Sequence, residues 1–133
     1  MSAVVADTHT VVWLLFAPQQ LSSAALAALQ GAVQAGDPIY VAAISLVEIT
    51  YLVEKGRLSQ AVLVRMINEF SQANSGLVMV PLDFAIAQAV QQISRTDVPE
   101  MPDRIIAATA HYLGLPLVTR DHKIRASTLT TIW

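Results

Sequence analysis

Asp7, Glu48, Asp103 and Asp121 each stand where an apolar strand stops or a helix begins. A carboxylate resists leaving water, and several crowded together repel one another, so acids at such places need something to hold them. If the fold gathers these four into one pocket, their charge calls for a hard divalent cation with oxygen ligands. Mg²⁺ or Mn²⁺ suits such a set and retains some of its waters. An ion there can acidify a water and stabilise a phosphoryl transition state. With no histidine or cysteine in the set, the residues point to a metal-dependent phosphodiesterase rather than to zinc-type peptide hydrolysis.

Each acid also has a structural reading. Asp7 can cap the helix that follows it. Ser45-Leu46-Val47-Glu48 matches a capping box, with Ser45 at the cap and Glu48 three residues on. Asp103, just after Pro102, suits the positive end of a helix dipole. Asp121 can make an Asx-turn. Helical phase separates these four from the other acids. Asp103 shares a stripe with Ile106, Ala107 and Ala110, and Glu48 borders Ile49, Leu52 and Val53, so both lean toward the core. Glu54 and Glu69 fall among polar neighbours and read as solvated surface.

The elements that must position them alternate in type. Ala3 to Ala6, Ile39 to Ala43, Leu77 to Val80 and Leu117 to Thr119 are short apolar strand candidates, with Thr130 to Trp133 a fifth. Helices are predicted over Thr8 to Ala17, Ser22 to Ala35, Ser45 to Lys55, Ser59 to Ala73, Asp83 to Ser94 and Asp103 to Leu113, and Thr96 to Pro102 is a loop. The alternation predicts an α/β/α sandwich around a mostly parallel, about five-stranded sheet. Ligands of such sheets bind beyond the carboxyl ends of the strands. Asp7 ends the first strand, Glu48 lies in the first turn after the second, and Asp121 ends the fourth.

At 133 residues the chain fits one domain, 1–133, with a real core. Hydrophobic residues make up 54% and charged residues 14%, a surplus that suggests a partner-binding face. No run approaches the roughly 18 apolar residues of a spanning helix, and no membrane role is expected. The N-terminal residues do not resemble a signal peptide, and cysteine is absent, which fits a reducing cytoplasm. A net charge of −2 gives no global attraction to nucleic acid, so any such binding needs local basic clusters. Dinucleotide, P-loop and nucleophile-elbow motifs are missing. A receiver-domain reading fails because Asp7 stands alone after the first strand and the third runs into Pro81.

Four segments, in order, resemble the motifs of PIN-domain ribonucleases: Asp7-Thr8-His9 with Trp13-Leu14-Leu15, Ile44 to Glu48, Met101 to Ala110, and Leu117 to Asp121. The likeness is to the VapC toxins of bacterial toxin–antitoxin pairs and covers essentially the whole chain. It implies a Mg²⁺- or Mn²⁺-dependent endoribonuclease that hydrolyses phosphodiester bonds of structured RNA, commonly tRNA or rRNA, by a metal-activated water. It also implies a homodimer inhibited by a small VapB-like antitoxin. Carried over by position, Asp7, Glu48, Asp103 and Asp121 become metal ligands, directly or through water, and Thr119 orients a carboxylate or water. Some relatives carry a further acid where this chain has Lys123, so one metal is expected here.

Other residues are read more plainly. His9 is expected to pack at its helix start, and His111 and His122 lack a second nitrogen ligand for zinc. Arg104, Arg120, Lys123 and Arg125 are either surface charge or a rim that steers RNA phosphates, with Arg104, Arg120 and Lys123 the candidates for RNA binding. Trp13, Phe16 and Phe70 lie on apolar stripes and are expected to be core or dimer packing, not base-stacking platforms. The competing functions are a non-catalytic metal- or RNA-binding module and an RNA-processing nuclease that is not a toxin.

Overall fold

A computed structural model describes residues 2–133. Strands β1 (Val4–Ala6), β2 (Ile39–Ala42), β3 (Leu77–Val80), β4 (Leu117–Val118) and β5 (Thr131–Ile132) form one sheet in the order β3-β2-β1-β4-β5. Every pairing is parallel, so the expected sandwich holds with a wholly parallel sheet. Helices α1 (Thr8–Phe16), α2 (Ser23–Ala35), α3 (Ala43–Glu54), α4 (Gln60–Ser71), α5 (Phe84–Ala89), α6 (Met101–Leu113) and α7 (His122–Arg125) make the crossovers.

Helices lie on both faces because β1 alternates within a fully buried run. Val4 and Ala6 join the cluster of Val11, Leu29, Ile49 and Met66, while Val5 joins that of Ile86, Ile106, Ala107 and Ile124. Strand order reverses at β1, which pairs with β2 on one side and β4 on the other. Such a reversal opens a crevice at the carboxyl ends of the central strands.

Four boundaries differ from those the sequence predicts. Helix α3 starts at Ala43, so Ser45 is not a cap but a fully buried residue inside the helix. The capping box at Ser45 and Glu48 is therefore incorrect, because the helix continues from β2 with no loop to place a cap. Helix α6 begins at Met101, two residues before the predicted start, so Pro102 and Asp103 both lie in its first turn. The chain after β4 coils into α7 where only a turn was expected, because Asp121 caps it. The helix predicted to reach Ser94 gives way after Ala89 to a 3₁₀ turn over Val90–Gln92. Gly114, left-handed at φ 67°, ends α6 and lets the chain turn back into β4.

Candidate active site

Asp7 follows β1 and caps α1. Its Oδ1 accepts from the Thr10 amide at 2.9 Å, and its Oδ2 accepts from the Thr119 hydroxyl. Thr119 is fully buried, and its Oγ1 in turn accepts from the Asp121 amide at 3.0 Å. Asp121 caps α7 through Oδ1, which accepts from the Lys123 and Ile124 amides. The bland readings of Asp7 and Asp121 are thus correct and also compatible with a site. Each cap holds the first turn of a helix that leaves a central strand, and that is where the crevice lies.

Glu48 is positioned from α1. Thr8 Oγ1 lies 2.6 Å from Glu48 Oε1 and 2.9 Å from Ser45 Oγ. One hydroxyl proton cannot serve both, and the carboxylate is the stronger acceptor, so Thr8 donates to Glu48 and accepts from Ser45. Thr8 and Ser45 are both buried; the sequence assigns Thr8 no role and Ser45 only that of a helix cap.

All four acids line one cavity of about 520 Å³, together with Thr8, His9, Trp13, Ile106, Arg120 and His122. Asp103 receives none of the hydrogen bonds that hold the other three. Its carboxyl is raised from 3.8 to about 6, first by burial and then by the charges of Asp121, Glu48, Asp7 and Glu100. The ion pair formed among the described residues, Arg65 with Glu69, involves none of the four. A cation is what this charge lacks. Among the described residues, however, no three acidic or imidazole side chains stand close enough to hold one ion directly. The donor set therefore fits a hydrated Mg²⁺-type ion, which takes one or two carboxylates and reaches the rest through water, and not an all-protein cage.

The PIN-domain family model matches residues 4–127. The chain belongs to the PIN-domain family. It is 32% identical over 126 residues to ribonuclease VapC22 of Mycobacterium tuberculosis, covering 95% of this chain and 92% of that protein. Its fold is similar to that in the structure of VapBC2 from Rickettsia felis bound to a promoter DNA fragment, at TM-score 0.70 and 18% identity, covering 97% of this chain and 96% of that one. A toxin–antitoxin complex from Klebsiella pneumoniae is similar at TM-score 0.64 and 23% identity, over 98% and 96% of the two chains.

The basic residues around this PIN domain's cavity divide. Arg120 lines it, exposed, with its guanidinium carbon 5.8 Å from the centre of the Trp13 ring. Arg104 does not line it. Its Nη2 donates to the Val90 and Ile93 carbonyls at 3.0 and 2.8 Å, and its Nε is buried without a partner among the described residues. The Val90 carbonyl also accepts from the Ile93 amide, so Arg104 pins the end of the 3₁₀ turn that follows α5. Arg104, expected to bind RNA, thus stands apart from the cavity: its place next to Asp103 in sequence puts it on another face of α6. Lys123 and Arg125 are exposed on α7, outside the cavity lining. His9 and His122 line the cavity, whereas His111 does not.

Proposed function

We propose that this chain, as one PIN domain, is a Mg²⁺- or Mn²⁺-dependent endoribonuclease and the toxin of a toxin–antitoxin pair. The observation that carries this reading is the cavity shared by four acids from separate segments, with Asp103 driven up to about 6 by its burial and its acidic neighbours. The relative at 32% identity is a ribonuclease, which supports phosphodiester hydrolysis. When bound, the ion supplies positive charge at the phosphate and a more acidic water. Asp7, Glu48, Asp103 and Asp121 are the residues to hold it, directly or through water. Thr119 fixes the Asp7 carboxylate and the Asp121 backbone, and Thr8 fixes Glu48, so three acids stay oriented before substrate arrives. Arg120 is the cation at the rim free to meet a phosphate.

An antitoxin partner follows from the toxin reading, and exposed Val47, Tyr51, Val64 and Ile67 offer apolar surface for it or for a second copy in a homodimer. Asp103→Asn should abolish Mg²⁺-dependent cleavage of tRNA or rRNA while thermal unfolding stays cooperative. Cleavage by that variant at the unmutated rate would refute the site. A folded protein that binds Mn²⁺ but cleaves no RNA would favour the non-catalytic module.

A further inference from the structure

The cavity has an aromatic wall as well as an acidic floor. Trp13 stands on α1 two turns from Asp7 and is only partly buried. His9, one turn earlier on the same face, packs at 5.6 Å between ring centres, and Trp133 at 5.8 Å, both tilted. Two aromatic neighbours hold the indole in place while its edge of the cavity stays open. Trp13 also packs against the core, and over its ring lies Arg120, an exposed side chain that makes no hydrogen bond or ion pair among the described residues. Arg104 is the contrast, tied to two carbonyls. Arg120 is thus held by the ring alone.

An exposed guanidinium over an indole is a weak contact, weaker than a nucleobase stacked on the same face. A guanidinium released beside a nucleic acid gains a charge-assisted bond to phosphate. We propose that Trp13 is the stacking seat for one unpaired nucleobase beside the acidic cavity, and that Arg120 leaves the indole for the adjacent phosphate when the base arrives. This deepens the ribonuclease reading and rests on it for the choice of RNA. A base inside a duplex has both faces covered by its neighbours, so the seat admits only a nucleotide out of the stack. The device would confine cleavage to loops, bulges and single strands.

The test uses the full chain carrying Asp7→Asn, to prevent turnover, and Trp133→Phe, to leave Trp13 as the sole tryptophan. A short single-stranded oligoribonucleotide should quench Trp13 fluorescence saturably, and the same sequence in duplex should not. Trp13→Leu should weaken binding about tenfold, and Trp13→Phe, which keeps a π-face, far less. One abasic position along the oligonucleotide should cost a similar factor in the protein with Trp13 and nothing further in Trp13→Leu. Arg120→Ala should lower the salt dependence of binding by about one phosphate contact. RNA binding with Trp13 fluorescence unmoved, or full additivity of the abasic site and Trp13→Leu, would overturn the proposal. Trp13-dependent binding without cleavage by the unmutated protein would sink the nuclease reading and leave the seat standing; cleavage indifferent to Trp13→Leu would do the reverse.

Discussion

Asp7 and Asp121 sit at strand ends, whereas Glu48 and Asp103 ride on helices, and the two pairs are held by different physics. The strand-end pair is fixed by backbone: each caps a helix, and Thr119 ties them together. The helix-borne pair depends on packing to aim it, with Thr8 steadying Glu48 and no hydrogen bond steadying Asp103. Burial, and then the neighbouring acids, raise the pKa of Asp103. One acidic site thus contains carboxylates that stabilise the fold and one that burial and like charge make costly.

The largest effect expected from this contrast is on activity. Asp7→Asn and Asp103→Asn should each lower metal-dependent RNA cleavage by about 100-fold or more, since both remove charge where it must be met by an ion. Thr119→Val should act through metal affinity. It removes the donor to Asp7, and a loss of about tenfold in the apparent affinity for Mg²⁺ is expected, with kcat at saturating Mg²⁺ nearly unchanged. A metal titration of activity separates the two behaviours. Equal kcat losses in all three variants would erase the distinction between ligand and support.

Smaller effects should appear in stability, and with opposite signs. Asp121→Ala deletes the cap of α7 and should cost about 1 kcal/mol, recovered by Asn, which also caps. Asp103→Asn should instead stabilise the metal-free protein at neutral pH, by about 1 kcal/mol after allowing for solvent screening. Denaturant melts in the presence of a chelator decide both. Destabilisation by Asp103→Asn under those conditions would mean that the carboxylate is satisfied after all.

The smallest effect is a pH slope. Asp103 has a folded-state value of about 6 against an ordinary 3.8, so between these the metal-free fold holds the proton more tightly than the unfolded chain. Its contribution is present in full below that window and is lost as pH rises through it. Stability of the chelated protein should therefore decline from Asp103 between about pH 4 and 6, and Asp103→Asn should flatten that part of the profile. A profile identical in the variant would assign the slope elsewhere.

Much of the fold was legible in the residues. Short apolar runs alternating with amphipathic stretches can bury themselves only as strands covered on both faces, and β1 to β5 all fall where those runs occur. Asp7 and Asp121 were readable as strand-end acids because strand geometry is local. Asp103 was readable through the phase of Ile106 and Ala107, which the buried face of α6 respects. The contacts of Arg104 were not readable, and those of Trp13 only in part. The same helical phase that aims Asp103 at the cavity turns Arg104 toward the end of α5, a neighbour that no local pattern reveals. Trp13 does pack against the core, as its apolar stripe suggests, but the stripe does not show that Trp133 and Arg120 stand beside it.

The order of residues by itself determined which elements form, which face of each is apolar and which acids stand at their ends, because backbone propensity and periodicity act over a few residues. Only the tertiary structure decided which side chains meet: Thr119 with Asp7, Thr8 with Glu48, Arg104 with the carbonyls after α5. Those pairings are made across 112, 40 and 11 to 14 residues of chain. They arise from the sheet order and the crossing of helices, which closure of the whole core fixes at once.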